Sequence, residues 1–196
     1  MRVFVVGASG AIGTRLVPQL KDRGHEVIGT FKSSGNAQRV RALRAEAIAL
    51  DLLDLPAVRR VVLETEPNAV IHEATALADA RFSRNLDRSF APTNRLRTEG
   101  TDALLAAAHE AGVHRFVAQS FAAYRYAREG GPVKTEEDPL DPRPSATARE
   151  TNAAMRHLDQ VVTDAGGIAI RYGGFYGAPN GGLIEPVRCG VVEVDE

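Results

Sequence analysis

Three glycines spaced three residues apart follow a short apolar segment near the start of the chain. Residues 3–6 form the apolar segment, Gly7, Gly10 and Gly13 form the motif, and residues 14–23 are compatible with a helix. A tight turn from strand to helix needs a residue without a Cβ, close approach of a phosphate to the backbone needs a second, and helix–strand packing needs a third. Because backbone N–H groups and the positive end of the helix dipole face this turn, the motif predicts a site for the pyrophosphate of a dinucleotide.

The size and composition of the chain, 196 residues with 44% apolar and 25% charged, are typical of one ordinary globular domain. Its net charge of −1 gives no reason to expect a nucleic-acid or membrane partner, although Arg39, Arg41 and Arg44 form a local basic stripe. The single cysteine, Cys189, excludes an internal disulfide and by itself makes no structural zinc site. The apolar start is too short for a secretory signal or a transmembrane span. We expect a cytoplasmic protein without a metal site.

Strand and helix patterns alternate along the chain, which predicts an α/β fold with a doubly wound parallel sheet of about six strands and helices on both faces. The predicted strands are residues 3–6, 26–30, 47–50, 69–72, 115–119 and 168–172. The predicted helices are residues 14–23, 37–44, 55–65, 93–111 and 147–165. Residues 79–90 show no firm period and are predicted as a loop with some helix. A second loop, residues 129–144, is long enough to be functional.

Five segments follow one another in a recognisable order. They are Gly7-x-x-Gly10-x-x-Gly13, Val70-Ile-His72-x-Ala74, Gly100-Thr101-x-x-Leu104-Leu105, Gly112-Val-x-Arg-Phe-Val117 and Arg171-Tyr-Gly-x-x-Tyr176-Gly177. Together they resemble the extended short-chain dehydrogenase/reductase family, in particular its NAD-dependent epimerase/dehydratase members. The resemblance implies a Rossmann-like dinucleotide-binding domain over residues 1–177 and a redox reaction on a small carbonyl, hydroxyl or sugar-nucleotide substrate.

The family pattern also implies contacts with the nucleotide. The residues that match its pyrophosphate loop are Gly7, Ser9, Gly10, Ala11, Ile12 and Gly13. Asp51, followed by Leu52, matches the position that accepts a hydrogen bond from the adenine amine, although an Asp here is also a common N-cap of the next helix. Ala74 and Thr75 match the small residues that lie against the nucleotide, and small residues there also serve plain packing.

The choice between NADP and NAD depends on the end of the second strand, where a carboxylate would bind the ribose 2′-OH. Residues 29–34 contain no acid there and offer Lys32 and two serines, with Arg39 nearby. A cation and hydroxyls suit a 2′-phosphate, so we predict NADP in preference to NAD. The alternative is that Lys32 is a solvated surface lysine.

The reaction centre departs from the family pattern. The pattern asks for a Ser or Thr after the fifth strand, and Ser120 fits that position as the group that polarises the substrate oxygen, unless its hydroxyl only caps the strand end. It also asks for Tyr-x-x-x-Lys, in which the lysine lowers the tyrosine pKa for proton exchange. None of the tyrosines, at 124, 126, 172 and 176, is followed four residues later by lysine.

Because the reaction needs a positioned group for proton transfer, we hypothesise that other residues replace the missing dyad. Tyr124, which we take as the second catalytic residue, or Tyr126 would enter from the loop, and Arg128 or Arg149 would supply a fixed positive charge. The alternative is a protein that binds the dinucleotide but has lost turnover.

Two further departures concern a helix and the end of the chain. Arg97 stands where the family has asparagine, and Asn94 either presents its amide on a neighbouring face or is merely solvated. We expect residues 178–196 to be a short, poorly structured tail, the remnant of a truncated substrate lobe, and a gene fragment that exposes apolar surface is a third reading. By resemblance only, the two long helices suggest a homodimer.

Overall fold

Six strands in the described residues form one parallel sheet in the order β3-β2-β1-β4-β5-β6. The computed structural model describes residues 1–77, 83–122 and 126–175, so the expected tail at residues 178–196 lies outside the described residues. The strands are β1 (Arg2–Val6), β2 (Glu26–Phe31), β3 (Glu46–Ala49), β4 (Ala69–His72), β5 (Phe116–Phe121) and β6 (Ile168–Tyr172). The predicted fold class and all six predicted strands are confirmed, with small differences at the strand ends.

The helices flank the sheet and are α1 (Gly13–Asp22), α2 (Ala37–Ala42), α3 (Leu55–Thr65), α4 (Leu86–Arg95), α5 (Thr101–Glu110) and α6 (Arg149–Asp164). Four of the predicted helices are confirmed within a turn. The predicted helix over residues 93–111 is wrong in its extent, because a π-helical turn, Leu96–Gly100, separates α4 from α5. Such wide turns interrupt a helix without breaking its direction, which is why the apolar period alone did not reveal it.

The segment predicted as a loop with some helix, residues 79–90, contains the start of α4 at Leu86, and residues 79–82 of it lie outside the described residues. The Asn85 side chain accepts a hydrogen bond from the Arg88 N–H at 3.0 Å and caps the helix. An asparagine before a helical stretch is a start signal that can be read from the sequence.

The side chains of β1 alternate between two hydrophobic layers, as expected for a sheet covered on both faces. Val3 and Val5 pack on one face with Val17 of α1. Phe4 and Val6 pack on the other face, together with Val58, Val62 and Leu104 of α3 and α5. All of these residues are buried, so the sheet is held from both sides and its carboxyl edge is positioned by both layers.

The strand order reverses between β1 and β4, which pair side by side although α1, β2, α2, β3 and α3 lie between them in the sequence. The connections from these two strands leave in opposite directions. In open α/β sheets the crevice outside the carboxyl ends at such a reversal is where ligands bind.

The segment between β5 and α6 is anchored where α6 begins. The carboxylate of Asp87, on α4, accepts hydrogen bonds from the N–H groups of Glu150 at 3.1 Å and Thr151 at 2.8 Å. Within the segment, Tyr126 and Leu140 form an isolated antiparallel bridge. The predicted loop over residues 129–144 is therefore irregular, and it is held by the Tyr126–Leu140 bridge and by the contacts of Asp87 at the start of α6.

Candidate functional site

The glycine motif forms the turn between β1 and α1 and leaves no room for a side chain at two of its positions. A Cβ added at Gly7 would lie 2.7 Å from the carbonyl carbon of Glu73, and one added at Gly13 would lie 2.5 Å from the carbonyl oxygen of Gly7. Gly7 also has a φ of 84°, in the left-handed region that favours glycine. The Gly10 N–H donates to the Gly7 carbonyl at 2.9 Å and closes the turn. The close packing that the motif predicts is present.

The positive end of α1 faces the same turn. Ile12 precedes the helix without a side-chain cap, and the first turn carries no acidic residue. Ser9 and Ala11 are half-buried beside it, and the Arg15 guanidinium donates to the Ala11 carbonyl at 3.0 Å. The dipole of α1 and the charge of Arg15 thus favour an anion at this turn.

Lys32 and Asp51, predicted for two different parts of a nucleotide, form an ion pair. The Nζ of Lys32 lies 2.8 Å from Oδ2 of Asp51, at the carboxyl ends of β2 and β3. The Lys32 hydrogen bond lowers the pKa of Asp51, whose other oxygen accepts from the Leu53 N–H at 3.1 Å. Lys32 is largely exposed, with 71% of its side chain open to solvent, yet it is paired rather than merely solvated.

The alternative role of Asp51 as a helix cap is wrong. Asp54 caps α3 instead, because its side chain accepts a hydrogen bond from the Ala57 N–H at 3.1 Å. The Leu52 side chain is buried and lies against Gly100, where an added Cβ would be 3.3 Å from the Leu52 Cβ. Leu52 therefore supports the edge of the sheet through packing with the π-helical turn.

The end of β4 lies directly against the glycine turn. The Glu73 N–H donates to the Val6 carbonyl at 2.9 Å, and the half-buried Ala74 and Thr75 follow. Nδ1 of His72 accepts from the Ala74 N–H at 3.3 Å. Burial lowers the pKa of His72 to about 4, so the ring is neutral at pH 7. His72 is thus a buried residue at the strand end. The backbone N of Ala74 lies next to Gly7, where an added Cβ would be 2.8 Å from it.

Glu73 is the residue that sequence reasoning missed. It is only 6% exposed, its Oε1 accepts a hydrogen bond from the Tyr172 hydroxyl at 3.3 Å, and its Oε2 is buried without a partner among the described residues. Burial raises the pKa of Glu73 to about 7, and burial together with this carboxyl raises the pKa of Tyr172 to about 12. The family pattern leaves position 73 unspecified. The one sequence feature that could have identified Glu73 as a site residue is its place as an acid directly after a buried strand.

Ser120 lies within β5 rather than after it, and its side chain is fully buried. Its hydroxyl donates to Oδ1 of Asp159 at 2.6 Å, while Oδ2 of Asp159 accepts from Nε of Arg171 at 2.9 Å. The hydroxyl thus makes a structural contact with α6. The predicted role of Ser120 on a substrate oxygen stays a prediction, and it requires the hydroxyl to leave Asp159.

The structure gives Tyr126 an arginine partner other than those predicted. Nη1 of Arg171, on β6, donates to the Tyr126 hydroxyl at 3.1 Å, and its guanidinium carbon lies 5.8 Å from the ring centroid. Among the described residues neither Arg128 nor Arg149 makes this contact. Tyr124 lies outside the described residues, so its catalytic role stays a prediction.

Asn94 is buried rather than solvated. Its Nδ2 donates to the Thr151 hydroxyl at 3.1 Å and links α4 to α6. Arg97 of the π-helical turn is also buried, donates to Oδ1 of Asn94 at 3.4 Å and lies over the Phe90 ring at 5.9 Å. Arg97, which stands where the family has asparagine, thus contacts the Asn94 side chain that links α4 to α6.

Two properties of the described residues bear on other kinds of site. No three His, Cys, Asp or Glu side chains in residues 1–77, 83–122 and 126–175 are grouped as metal ligands would be. No helix in these ranges combines the length and the apolar character needed to span a membrane.

The chain matches a sequence model of the NAD dependent epimerase/dehydratase family over residues 3–185. It is 39% identical over its whole length to a 3-diazoavenalumate denitrifying reductase from Streptomyces sp., of which it covers 65%. It is 34% identical to a 4-hydroxy-2-methyl-3-oxo-4-farnesyl-3,4-dihydroquinoline-1-oxide ketoreductase from Stigmatella aurantiaca, over 85% of this chain and 46% of that protein. The chain thus spans less than two thirds of both relatives.

Among solved structures, the chain is similar to the UDP-glucose 4-epimerase of Thermus thermophilus in complex with NAD. The TM-score is 0.68 at 25% identity, and the match covers 92% of this chain and 58% of the epimerase. The two proteins therefore share their fold over most of this chain.

Proposed function

The chain belongs to the NAD-dependent epimerase/dehydratase family, and from this premise we propose that it is an oxidoreductase that binds NADP or NAD and acts on a small carbonyl or hydroxyl compound. The glycine turn carries the proposal, because a Cβ at Gly7 or Gly13 would collide with backbone and the uncapped end of α1 faces the same turn. This arrangement fits a pyrophosphate held by backbone N–H groups.

The residues that would hold the coenzyme lie along the carboxyl edge of the sheet. The pyrophosphate would contact the backbone of residues 7–13, and Ala74 and Thr75 would lie against the nucleotide from the end of β4. When bound, the coenzyme supplies or accepts a hydride. The protein positions the substrate and handles its proton. The family pattern assigns the substrate oxygen to Ser120, and Tyr124 is our hypothesis for the residue that replaces the missing tyrosine.

We favour NADP over NAD on the charge at the ends of β2 and β3. A 2′-phosphate would compete with Asp51 for Lys32, and Asp51 would then be free to accept from the adenine amine. Nζ of Lys32 lies 2.8 Å from Oδ2 of Asp51. Breaking this one ion pair would therefore release Lys32 for the 2′-phosphate and Asp51 for the adenine amine.

Reduction is the direction that the relatives favour. Two of the proteins similar to this chain are named as reductases, one of them a ketoreductase. The NAD-bound epimerase makes a sugar nucleotide the other substrate class to test.

Coenzyme titration tests the proposal directly. NADPH and NADH fluorescence should show saturable binding to the wild type, and Gly10→Glu should abolish it by placing bulk and negative charge in the turn. Gly131→Glu is the matched control, since an added Cβ there meets nothing within 4 Å. Circular dichroism verifies that both variants are folded. Failure of the wild type to bind either coenzyme would overturn the proposal.

A separate variant tests the coenzyme preference. Lys32→Asp should weaken NADPH binding by roughly tenfold or more while NADH binding changes less, because a like charge would face the 2′-phosphate. An unchanged ratio of the two dissociation constants would show that Lys32 does not select the coenzyme.

The missing Tyr-x-x-x-Lys dyad favours a second candidate, a coenzyme-binding protein without turnover. Saturable coenzyme binding with no oxidation of NADPH across a panel of aldehydes, ketones and sugar nucleotides would support it over the enzyme.

A further inference from the structure

We propose that Glu73 exchanges the proton with the substrate oxygen in place of the missing tyrosine and lysine, and that the hydroxyl of Tyr172 positions its carboxyl group. The inference rests on the proposed function, since it assigns the proton donor of the same site. Neither residue belongs to the pattern that the family uses for this task, and Glu73 lies at a position that the pattern leaves open.

The placement of the Glu73 side chain supports the proposal. Its backbone lies against Gly7, at the reversal of strand order between β1 and β4. Its carboxyl reaches Tyr172, the last residue of β6, although β5 lies between β4 and β6 in the sheet. The side chain therefore crosses the carboxyl end of β5, on the edge where ligands bind in sheets of this kind.

The hydrogen bonding of the carboxyl leaves one oxygen for a ligand. Oε1 accepts from the Tyr172 hydroxyl at 3.3 Å, whereas Oε2 is buried and has no partner among the described residues. Buried polar atoms without a partner are rare, because each costs the free energy of its lost hydration. A substrate hydroxyl or carbonyl oxygen would supply the missing hydrogen bond.

The chemistry of the site suits proton exchange at neutral pH. Burial raises the pKa of Glu73 to about 7, so acid and carboxylate are both populated there. In reduction, the substrate carbonyl carbon takes the hydride that the coenzyme supplies, and its oxygen takes the proton from Oε2. Glu73 is left as a carboxylate and regains a proton from water, so the net reaction consumes one reduced coenzyme and one proton. Oxidation of the alcohol follows the reverse course.

The neighbouring polar groups have other roles in this structure. Tyr172, with its pKa raised to about 12, stays protonated, and its hydroxyl donates a hydrogen bond to Oε1 of Glu73. The His72 ring is neutral, and its pKa is lowered further by the charge of Arg97. Arg171 and Asp159 are paired with each other at 2.9 Å. Among the described residues, the Tyr172 hydroxyl is the group that hydrogen-bonds the Glu73 carboxyl.

The first experiment needs no coenzyme. Infrared difference spectra of the wild type against Glu73→Gln should show a carboxylic acid band that disappears with a midpoint near pH 7. Tyr172→Phe should move this midpoint upward, because the hydroxyl stabilises the carboxylate. Glu136→Gln, at an exposed glutamate, is the control and should leave the band unchanged. A midpoint near 4.5, the ordinary value, would overturn the proposal.

The second experiment measures turnover with NADPH and two probes, 4-nitrobenzaldehyde and ethyl acetoacetate. Glu73→Gln should lower kcat by roughly 100-fold or more while the dissociation constant for NADPH stays within about twofold. Tyr172→Phe should shift the alkaline limb of the kcat profile upward, as it shifts the infrared midpoint.

The outcomes separate the two proposals. If the wild type binds no coenzyme, the proposed function fails, while the infrared titration still decides whether Glu73 is a neutral-pH carboxyl. If the wild type binds NADPH but reduces neither probe, or if Glu73→Gln keeps its rate and pH profile, the assignment of Glu73 is wrong.

Discussion

The two halves of the carboxyl edge of the sheet are built in different ways. At the corner between β1 and α1 the geometry is made by backbone, since Gly7 and Gly13 touch main-chain atoms and have no side chains. At the ends of β4 to β6 it is made by side chains from distant parts of the chain, such as Glu73 and Tyr172. A site formed by main-chain atoms can be recognised from a local sequence motif. A site formed by side chains can change one residue at a time while the fold stays the same.

The largest expected effect tests the backbone half. Gly13→Val should lower the free energy of unfolding by more than about 3 kcal/mol, because even its Cβ would lie 2.5 to 2.6 Å from backbone atoms of Gly7 and Ala8. Thermal unfolding should show the loss, and Gly131→Val, in open space, should change the melting temperature little. A Gly13→Val protein as stable as the wild type would mean that the turn is not packed as described.

A smaller effect with a distinct pH dependence tests the side-chain half. The pKa of Glu73 is raised from 4.5 to about 7 in the folded protein. Between these values the unfolded chain binds fewer protons than the folded one, so stability falls as the pH rises and the loss is complete above pH 7. Glu73→Gln removes this loss and should stabilise the protein at pH 8 by up to about 3 kcal/mol.

Urea unfolding at pH 5 and pH 8 measures this difference, and most of the gain from Glu73→Gln should be gone at pH 5. Glu136→Gln serves again as the exposed control. An equal effect of Glu73→Gln at both pH values would show that the carboxyl has an ordinary pKa, and the contrast between the two halves would then weaken.

The smallest effect distinguishes a structural from a catalytic Ser120. Ser120→Ala removes the 2.6 Å hydrogen bond to Asp159 but leaves the Asp159 ion pair with Arg171, so it should cost about 2 kcal/mol in urea unfolding. A purely structural serine predicts little change in kcat for the folded variant. A loss of more than about 100-fold in kcat with unchanged stability would support the proposed role of Ser120 on the substrate oxygen.

Local signals were sufficient for most of the fold. Short apolar segments that alternate with helical segments predicted the six strands, because a parallel sheet is covered by helices on both faces. The glycine motif placed the turn between β1 and α1 correctly, since its spacing reflects backbone contact. The extent of α4 was missed because its cap, Asn85, lies in a polar stretch without a clear period.

The side-chain half of the site was harder to predict because its contacts join residues far apart in sequence. The Glu73 carboxyl meets a hydroxyl 99 residues away, and the Ser120 hydroxyl meets a carboxylate 39 residues away. The N-cap alternative for Asp51 was wrong because Asp54, which lies directly before α3, caps the helix instead. Motifs fix such positions only where a family keeps the same residue.

The cap that Asp87 provides for α6 has a consequence for how this protein varies. The Asp87 carboxylate binds two N–H groups in the first turn of α6, and the Asp87 N–H donates to the Thr147 carbonyl just before the helix. This end of α6 is therefore held by α4. Insertions or exchanges in the exposed stretch between Glu129 and Glu137 are therefore expected to leave the register of α6 against the sheet intact. Grafting that stretch from a relative is therefore expected to change this exposed loop without redesigning the domain beneath it.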